Sequence, residues 1–153
     1  MNKLLLALGL GIVVFAACST TPTLPTYKAT LNGASEKPTA NASTGTGTAT
    51  ATLDGTTLSL KIDFSGLTGA ATGAHIHGPA DENGVANPPI CLFNDKIVAG
   101  ATAGTGSINA TCNLDGVSNA ALTVANLNAG LFYINLHTAG SLGGEIRGQL
   151  KKQ

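Results

Sequence analysis

Three histidines are the side chains of this sequence best suited to hold a metal ion. His75 and His77 stand two residues apart in the segment GAHIHGP, and His137 follows sixty residues after His77. Residues i and i+2 of a strand project from the same face, which sets the first two imidazoles side by side, about 6.5 Å apart along the backbone. If His137 lies on a neighbouring strand, the site gains a third nitrogen ligand. Three imidazoles suit copper, or zinc with one open position; the alternative is a solvated polar strand face that holds no metal.

This geometry requires that both histidine segments are strands, and residue alternation predicts that they are. Apolar and polar side chains alternate over residues 131–138 and again over 145–151. A short glycine-rich turn at 140–144 joins the two segments, so we expect them to pair as a hairpin. His137 and Arg147 would then share one polar, solvent-facing sheet surface with the first two histidines.

The remaining segments favour an all-β fold. Alternation is clearest over residues 57–64, where four apolar side chains share one face. Asp-Gly pairs at 54–55 and 115–116 are hairpin turn signals, and residues 118–128 fit one or two helical turns. About eight short strands at this spacing predict an antiparallel, Greek-key-like β-sandwich or barrel.

The N-terminal residues have the pattern of an export signal. Residues 1–17 contain a short basic lead and an apolar run that is too short to span a bilayer. The sequence Ala-Ala-Cys that ends at Cys18 resembles a bacterial lipobox, which implies lipidation of Cys18, a lipidated tether over 18–26 and a domain over 27–151. Because Ser19 is not Asp, the resemblance favours the outer membrane, facing the periplasm or the cell surface. The alternative is an ordinary signal peptide, with Cys18 an incidental thiol.

Charge and cysteine content agree with an exported protein. The sequence has eight basic and eight acidic residues, so nothing in its charge favours nucleic acid binding. Apart from Cys18, only Cys91 and Cys112 remain, and an even pair in an oxidising compartment predicts a disulfide. A thiolate metal site is the weaker alternative, because the pair lacks a Cys-x-x-Cys spacing.

Several motifs of the chain resemble those of the CHRD (chordin-type) domain family. They are GASEKP (33–38), GTG (45–47), GL (66–67), GAHIHGP (73–79), YINLHT (133–138) and GEIRGQL (144–150). Their order and spacing cover about residues 27–151, and Lys37 replaces the apolar residue usual between Glu and Pro. The resemblance implies an extracellular or exported domain, but the family has no single reaction, so it implies no activity.

The histidine motifs are also similar to the copper site of Cu,Zn superoxide dismutases, which are Greek-key β-barrels. This similarity implies that His75, His77 and His137 bind copper and that Arg147 guides an anion. The chain has no fourth histidine to bridge to zinc, so a complete Cu,Zn site would need a second chain, as in a homodimer. For Arg147, a surface ion pair with Glu145 is the alternative role.

Two functions follow as hypotheses. The first is a lipid-anchored protein of the cell envelope that binds copper through three histidines, with superoxide dismutase-like redox activity. The second is a non-enzymatic envelope binding or adhesion module that holds no metal. The sequence assigns neither a protein partner nor the physiological metal.

Overall fold

A computed structural model of the chain describes residues 23–153. The predicted signal peptide (1–17) and Cys18 lie outside these residues, as does most of the predicted tether. Within the described part, no helix is long and apolar enough to cross a bilayer. The strands are β1 (Thr26–Asn32), β2 (Thr46–Asp54), β3 (Thr57–Ser65), β4 (Ala71–His77), β5 (Cys91–Leu92), β6 (Ile97–Ala99), β7 (Gly106–Asn113), β8 (Tyr133–Thr138), β9 (Ser141–Gln149) and β10 (Lys151–Lys152). The one α-helix among residues 23–153 is α1 (Val124–Asn128).

The long strands form where the sequence alternates. In β2 and β3, buried and exposed residues alternate without interruption. This pattern buries one apolar face and leaves the other face to solvent. A two-residue loop joins the pair, and Gly55 takes its first position with φ of 57°. Glycine adopts this conformation without a steric penalty, so the Asp-Gly signal correctly marks a hairpin.

All strands pair antiparallel in one curled sheet. Its order is β5-β4-β8-β9-β1-β2-β3-β7-β6, and β10 extends the sheet beside β1. The curl brings the two ends of the sheet together as a half-barrel, where β4 contacts β6. The predicted all-β antiparallel fold is confirmed. Residues 23–153 contain ten strands instead of about eight. Residues 90–98, predicted to form one or two short strands, form β5 and β6, and the predicted final strand over 145–151 is divided between β9 and β10.

A disulfide joins the two ends of the curled sheet. Cys91 on β5 bonds Cys112 on β7, with their Cα atoms 6.2 Å apart. The predicted Cys91–Cys112 disulfide is therefore confirmed, and these thiols are not metal ligands. The apolar core fills the inside of the curl, with fully buried side chains that include Leu31, Leu58, Ile62, Ile76, Ile108, Ile134 and Ile146.

The outer, polar face of β4, β8 and β9 is buried, contrary to prediction. Glu145 is 0% exposed and Arg147 is 2% exposed. Two loops cover this face. Asn41, in the first loop, donates to the Glu145 carbonyl, and Asp81, in the second, accepts from Arg147. The predicted solvent-facing surface is wrong because alternation reports which side chains share a face and says nothing of distant loops that pack over it.

Candidate metal centre

The three histidines form one cluster on the covered face of the sheet. Strand β8 pairs with β4, placing Gly73 opposite His137 and Asn135 opposite His75. The ring centroids lie 5.6 Å apart for His75 and His77, 4.7 Å for His75 and His137, and 6.4 Å for His77 and His137. The strand spacing and pairing predicted for these residues therefore bring all three imidazoles together.

Backbone carbonyls fix which nitrogen of two rings is free to bind a metal. His77 Nδ1 lies 2.8 Å from the Ala86 carbonyl oxygen, and His137 Nδ1 lies 3.0 Å from that of Leu142. A carbonyl only accepts, so both Nδ1 atoms carry the proton and both Nε2 atoms present a lone pair. Such a hydrogen bond from the non-ligating nitrogen is the usual support of a metal-bound histidine.

The third ring, that of His75, faces the cluster with its Nδ1 atom instead of its Nε2 atom. His75 Nδ1 lies 3.1 Å from His137 Nε2. Because the latter atom has no proton, His75 Nδ1 must donate to it. A metal ion placed between the two nitrogens would require the proton of His75 to sit on its Nε2 atom, which is the other neutral tautomer of the ring.

One buried atom of the cluster has no hydrogen-bond partner. His77 is 5% exposed, and its Nε2 is buried without a partner in residues 23–153. A buried polar atom left unsatisfied costs about 1–3 kcal/mol, so such atoms are rare in folded proteins. A metal ion bound at Nε2 would satisfy this lone pair, and the residues present therefore fit a metal.

The distances require only a small movement of the rings. One ligand atom from each histidine lies within 4.8 Å of the other two. Two nitrogens that each lie 2.0–2.1 Å from one ion are at most about 4.2 Å apart. Rotation of partly exposed His75 and His137 can close this difference.

All three imidazoles favour the neutral form that a metal requires. Burial lowers the pKa of His75 to about 4, with further lowering by His137 and His77, while a hydrogen bond with Asn94 acts in the opposite direction. Burial also lowers the pKa values of His77 and His137. The rings are therefore neutral at pH 7, and each has one nitrogen with a free lone pair.

The chain around β4 holds the cluster in place. Asn94, in the 3₁₀ turn after β5, accepts a hydrogen bond from the Ala74 backbone next to His75. Immediately after His77, Gly78 adopts φ of 156°, and a Cβ there would lie 2.5 Å from the Phe132 ring. Any other residue at position 78 would therefore displace the end of the strand that carries His77.

Arg147 lies on the other side of Tyr133 from the histidines. The His77 and Tyr133 rings stack at 5.1 Å with an interplanar angle of 6°, and the Arg147 guanidinium lies 3.5 Å from the Tyr133 ring centroid. Because β8 lies between β4 and β9, the Tyr133 ring separates Arg147 from His77. Anion guidance by Arg147 stays a prediction, and any such guidance would act across this ring.

The predicted Arg147–Glu145 ion pair is absent from the described residues. Among them, the Arg147 side chain makes one hydrogen bond, from Nη2 to the Asp81 carbonyl. Glu145 instead accepts hydrogen bonds from Ser43, Thr68 and Thr138. Burial acts to raise the pKa of Glu145, but these hydrogen bonds outweigh burial and lower it below the usual value.

The sequence did not predict the buried contact between two polar residues, Glu36 and Asn135. Glu36 is 3% exposed, and its carboxyl group accepts a 3.3 Å hydrogen bond from Asn135. Burial raises the pKa of Glu36 to about 7, while the Arg147 charge and the Asn135 hydrogen bond act to lower it. No local pattern predicts this contact, because the two partners are 99 residues apart. Tyr133 was detectable, because it alternates onto the same face as His137.

Comparison with known proteins identifies one family. The CHRD domain family model matches residues 27–150, which is most of the chain. No curated protein and no solved structure matches the chain. The family match agrees with the resemblance carried by the sequence motifs, and it names no ligand.

Proposed function

The chain belongs to the CHRD domain family, and from that premise we propose that it is an exported, lipid-anchored protein that binds copper through His75, His77 and His137. We propose further that the bound copper supports superoxide dismutase-like redox activity. The observation that carries the proposal is the buried His77 Nε2, which has no hydrogen-bond partner among residues 23–153. The imidazoles of His75 and His137 lie beside it, and rotation of these rings can direct a nitrogen lone pair toward the same ion.

The donor set favours copper over other metals. The cluster consists of three imidazoles, and neither a carboxylate nor a thiolate belongs to it among the described residues. Hard ions such as Ca²⁺ and Mg²⁺ prefer oxygen ligands, whereas imidazole suits copper and zinc. Copper(II) binds such sites more tightly than zinc does in the general affinity order of divalent metals. Zinc is the alternative ion.

The protein residues would contribute orientation, access and charge. The Ala86 and Leu142 carbonyls hold the two Nε2 atoms toward a common point, and the partial exposure of His75 and His137 leaves one side open to small molecules. Copper, when bound, supplies a one-electron couple that can oxidise one superoxide and reduce another. Arg147 would add positive charge near the site and attract an anion.

The cellular location is part of the proposal. An anchor at Cys18 would hold the domain in the cell envelope, at the outer membrane facing the periplasm or at the cell surface. Membrane fractionation of the parent and Cys18→Ser tests it: the parent should co-sediment with membranes and the variant should be released. A parent protein found only in the soluble fraction would contradict lipid anchoring.

Copper loading of the purified domain tests the function. We expect one copper per chain and an electron paramagnetic resonance signal with hyperfine splitting from three nitrogens, together with copper-dependent superoxide dismutation. Stoichiometric copper without dismutation would refute the redox activity and leave copper storage or delivery. Failure to bind copper or zinc would refute the metal site and favour the non-enzymatic binding or adhesion module.

A further inference from the structure

We propose that a cleft on the far side of Tyr133 from the histidines binds a ligand that carries an oxyanion, namely the carboxylate or phosphate of a hydroxyl-bearing molecule. The cleft has a volume of about 600 Å³ and lies between β1, β9, β10 and the segments around residues 34–37 and 82–83. This volume is typical of sites for small organic ligands. The proposal does not require a bound metal, although it assigns a second anion to the Arg147 guanidinium.

Positive charge is concentrated in this cleft. Lys28, Lys37, Lys151 and Arg147 line it, which are four of the seven basic residues that follow the predicted signal peptide. One acidic residue, Glu82, also lines the cleft and pairs with Lys151 at 3.0 Å. The chain as a whole has no net charge, so this concentration is local and is not a consequence of a basic protein.

Arg147 at the wall of the cleft is a buried charge that makes no direct ion pair among residues 23–153, and the acidic side chains of Glu36 and Asp81 act on it only from a greater distance. Its side chain is 2% exposed, and no carboxylate oxygen of the described residues lies within 4 Å of it. The Tyr133 ring and the Asp81 carbonyl are its close contacts. Buried charges in proteins are normally paired, because removal from water is costly. An oxyanion in the cleft would supply the missing negative charge, and guanidinium binds carboxylates and phosphates with two parallel hydrogen bonds.

The other lining residues fit the hydroxyl groups of a ligand. Ser35, Asn83 and Gln153 add hydroxyl and amide groups, and no aromatic side chain lines the cleft. The Gln149 amide is held by hydrogen bonds to the Ala80 and Gly130 carbonyls, which stiffens the wall beside Arg147. A polar, cationic lining favours an acidic sugar or a free oxyanion over an apolar ligand.

Calorimetric titration with trigalacturonate, neutral maltotriose and inorganic phosphate tests the proposal. We expect trigalacturonate or phosphate to bind and maltotriose not to bind. Phosphate that displaces trigalacturonate would identify a shared oxyanion site, and trigalacturonate binding without phosphate binding would identify the acidic sugar as the ligand source. Absence of binding by both anions at millimolar concentration would overturn the proposal.

Charge variants make the test specific to the cleft. Lys28→Gln and Lys37→Gln should each weaken anion binding about tenfold, since each removes a charge-assisted contact. Glu82→Gln should strengthen binding severalfold because it removes the only acidic side chain of the lining. Lys61→Gln is the matched control, since Lys61 is exposed elsewhere and pairs with Asp63. Equal weakening by Lys61→Gln would show nonspecific attraction and refute a built site. Copper binding should be unchanged in all four variants, which separates this test from that of the metal site.

Discussion

Replacing His137 by alanine removes one of three nitrogen ligands and should weaken copper binding by about 100-fold. Structural zinc sites with four ligands contribute about 10–16 kcal/mol, or about 2.5–4 kcal/mol per ligand. Since each 1.4 kcal/mol is a factor of ten, the loss of one ligand corresponds to about two to three orders of magnitude, and 100-fold is the lower end of this range. Among residues 23–153, the His137 side chain makes no hydrogen bond beyond its contacts with His75 and the Leu142 carbonyl, so the coordination chemistry should dominate.

Copper-dependent stabilisation provides the assay. At a free copper concentration 1,000 times the parent Kd, binding should stabilise the folded parent by about 4.1 kcal/mol. The same concentration is about ten times the Kd of the variant and should stabilise it by only about 1.4 kcal/mol. Denaturant unfolding with and without copper measures both values, and the comparison within each protein cancels any destabilisation that the substitution causes without metal.

The control tests for adventitious binding. Asp63→Asn removes an exposed carboxylate on another part of the sheet and should retain the full parent stabilisation. If His137→Ala is stabilised by copper as much as the parent is, the three imidazoles do not act together on one ion, and the reasoning from ring geometry is refuted.

Three further predictions concern the fold around the site. The double variant Cys91→Ser, Cys112→Ser opens a loop of 21 residues and should lower the free energy of unfolding by about 3 kcal/mol in denaturant titrations. A loss below about 1 kcal/mol would contradict stabilisation of the fold by this disulfide. Burial raises the pKa of Glu36 to about 7, so the folded state holds more protons than the unfolded state and loses stability as pH rises from 4.5 to 7. Glu36→Gln should remove this contribution. If the dependence of the unfolding free energy on pH, measured in urea, is the same in Glu36→Gln and the parent, the prediction is wrong. Glu145→Ala leaves buried donors unpaired and should cost about 3 kcal/mol. Asp63→Ala removes an exposed carboxylate from β3 and should cost under about 1 kcal/mol, and similar losses in the two thermal melts would refute the buried role.

The fold was largely predictable because its main signals are local. Alternation over 57–64 predicts β3 correctly, and the Asp-Gly pair predicts the turn before it. Residues 90–98 also predict one or two short strands around Asn94-Asp95, and β5 and β6 lie on either side of this point. Their partners, β4 and β7, were not predictable, because strands of two or three residues carry no periodicity and pair only where the curled sheet offers an edge.

The sequence by itself determined that His75 and His77 share a face, because side-chain direction in a strand depends only on local backbone geometry. It also determined that Cys91 and Cys112 could pair only with each other once Cys18 is assigned to lipid. Only the tertiary structure decided that β8 lies between β4 and β9, which brings His137 to the other two rings and Tyr133 between His77 and Arg147. Burial of Glu36 and Arg147 was likewise decided by loops that pack over the sheet. Such contacts join residues 60 to 100 positions apart, and their formation depends on the packing free energy of the whole domain instead of on the conformational preference of any one segment.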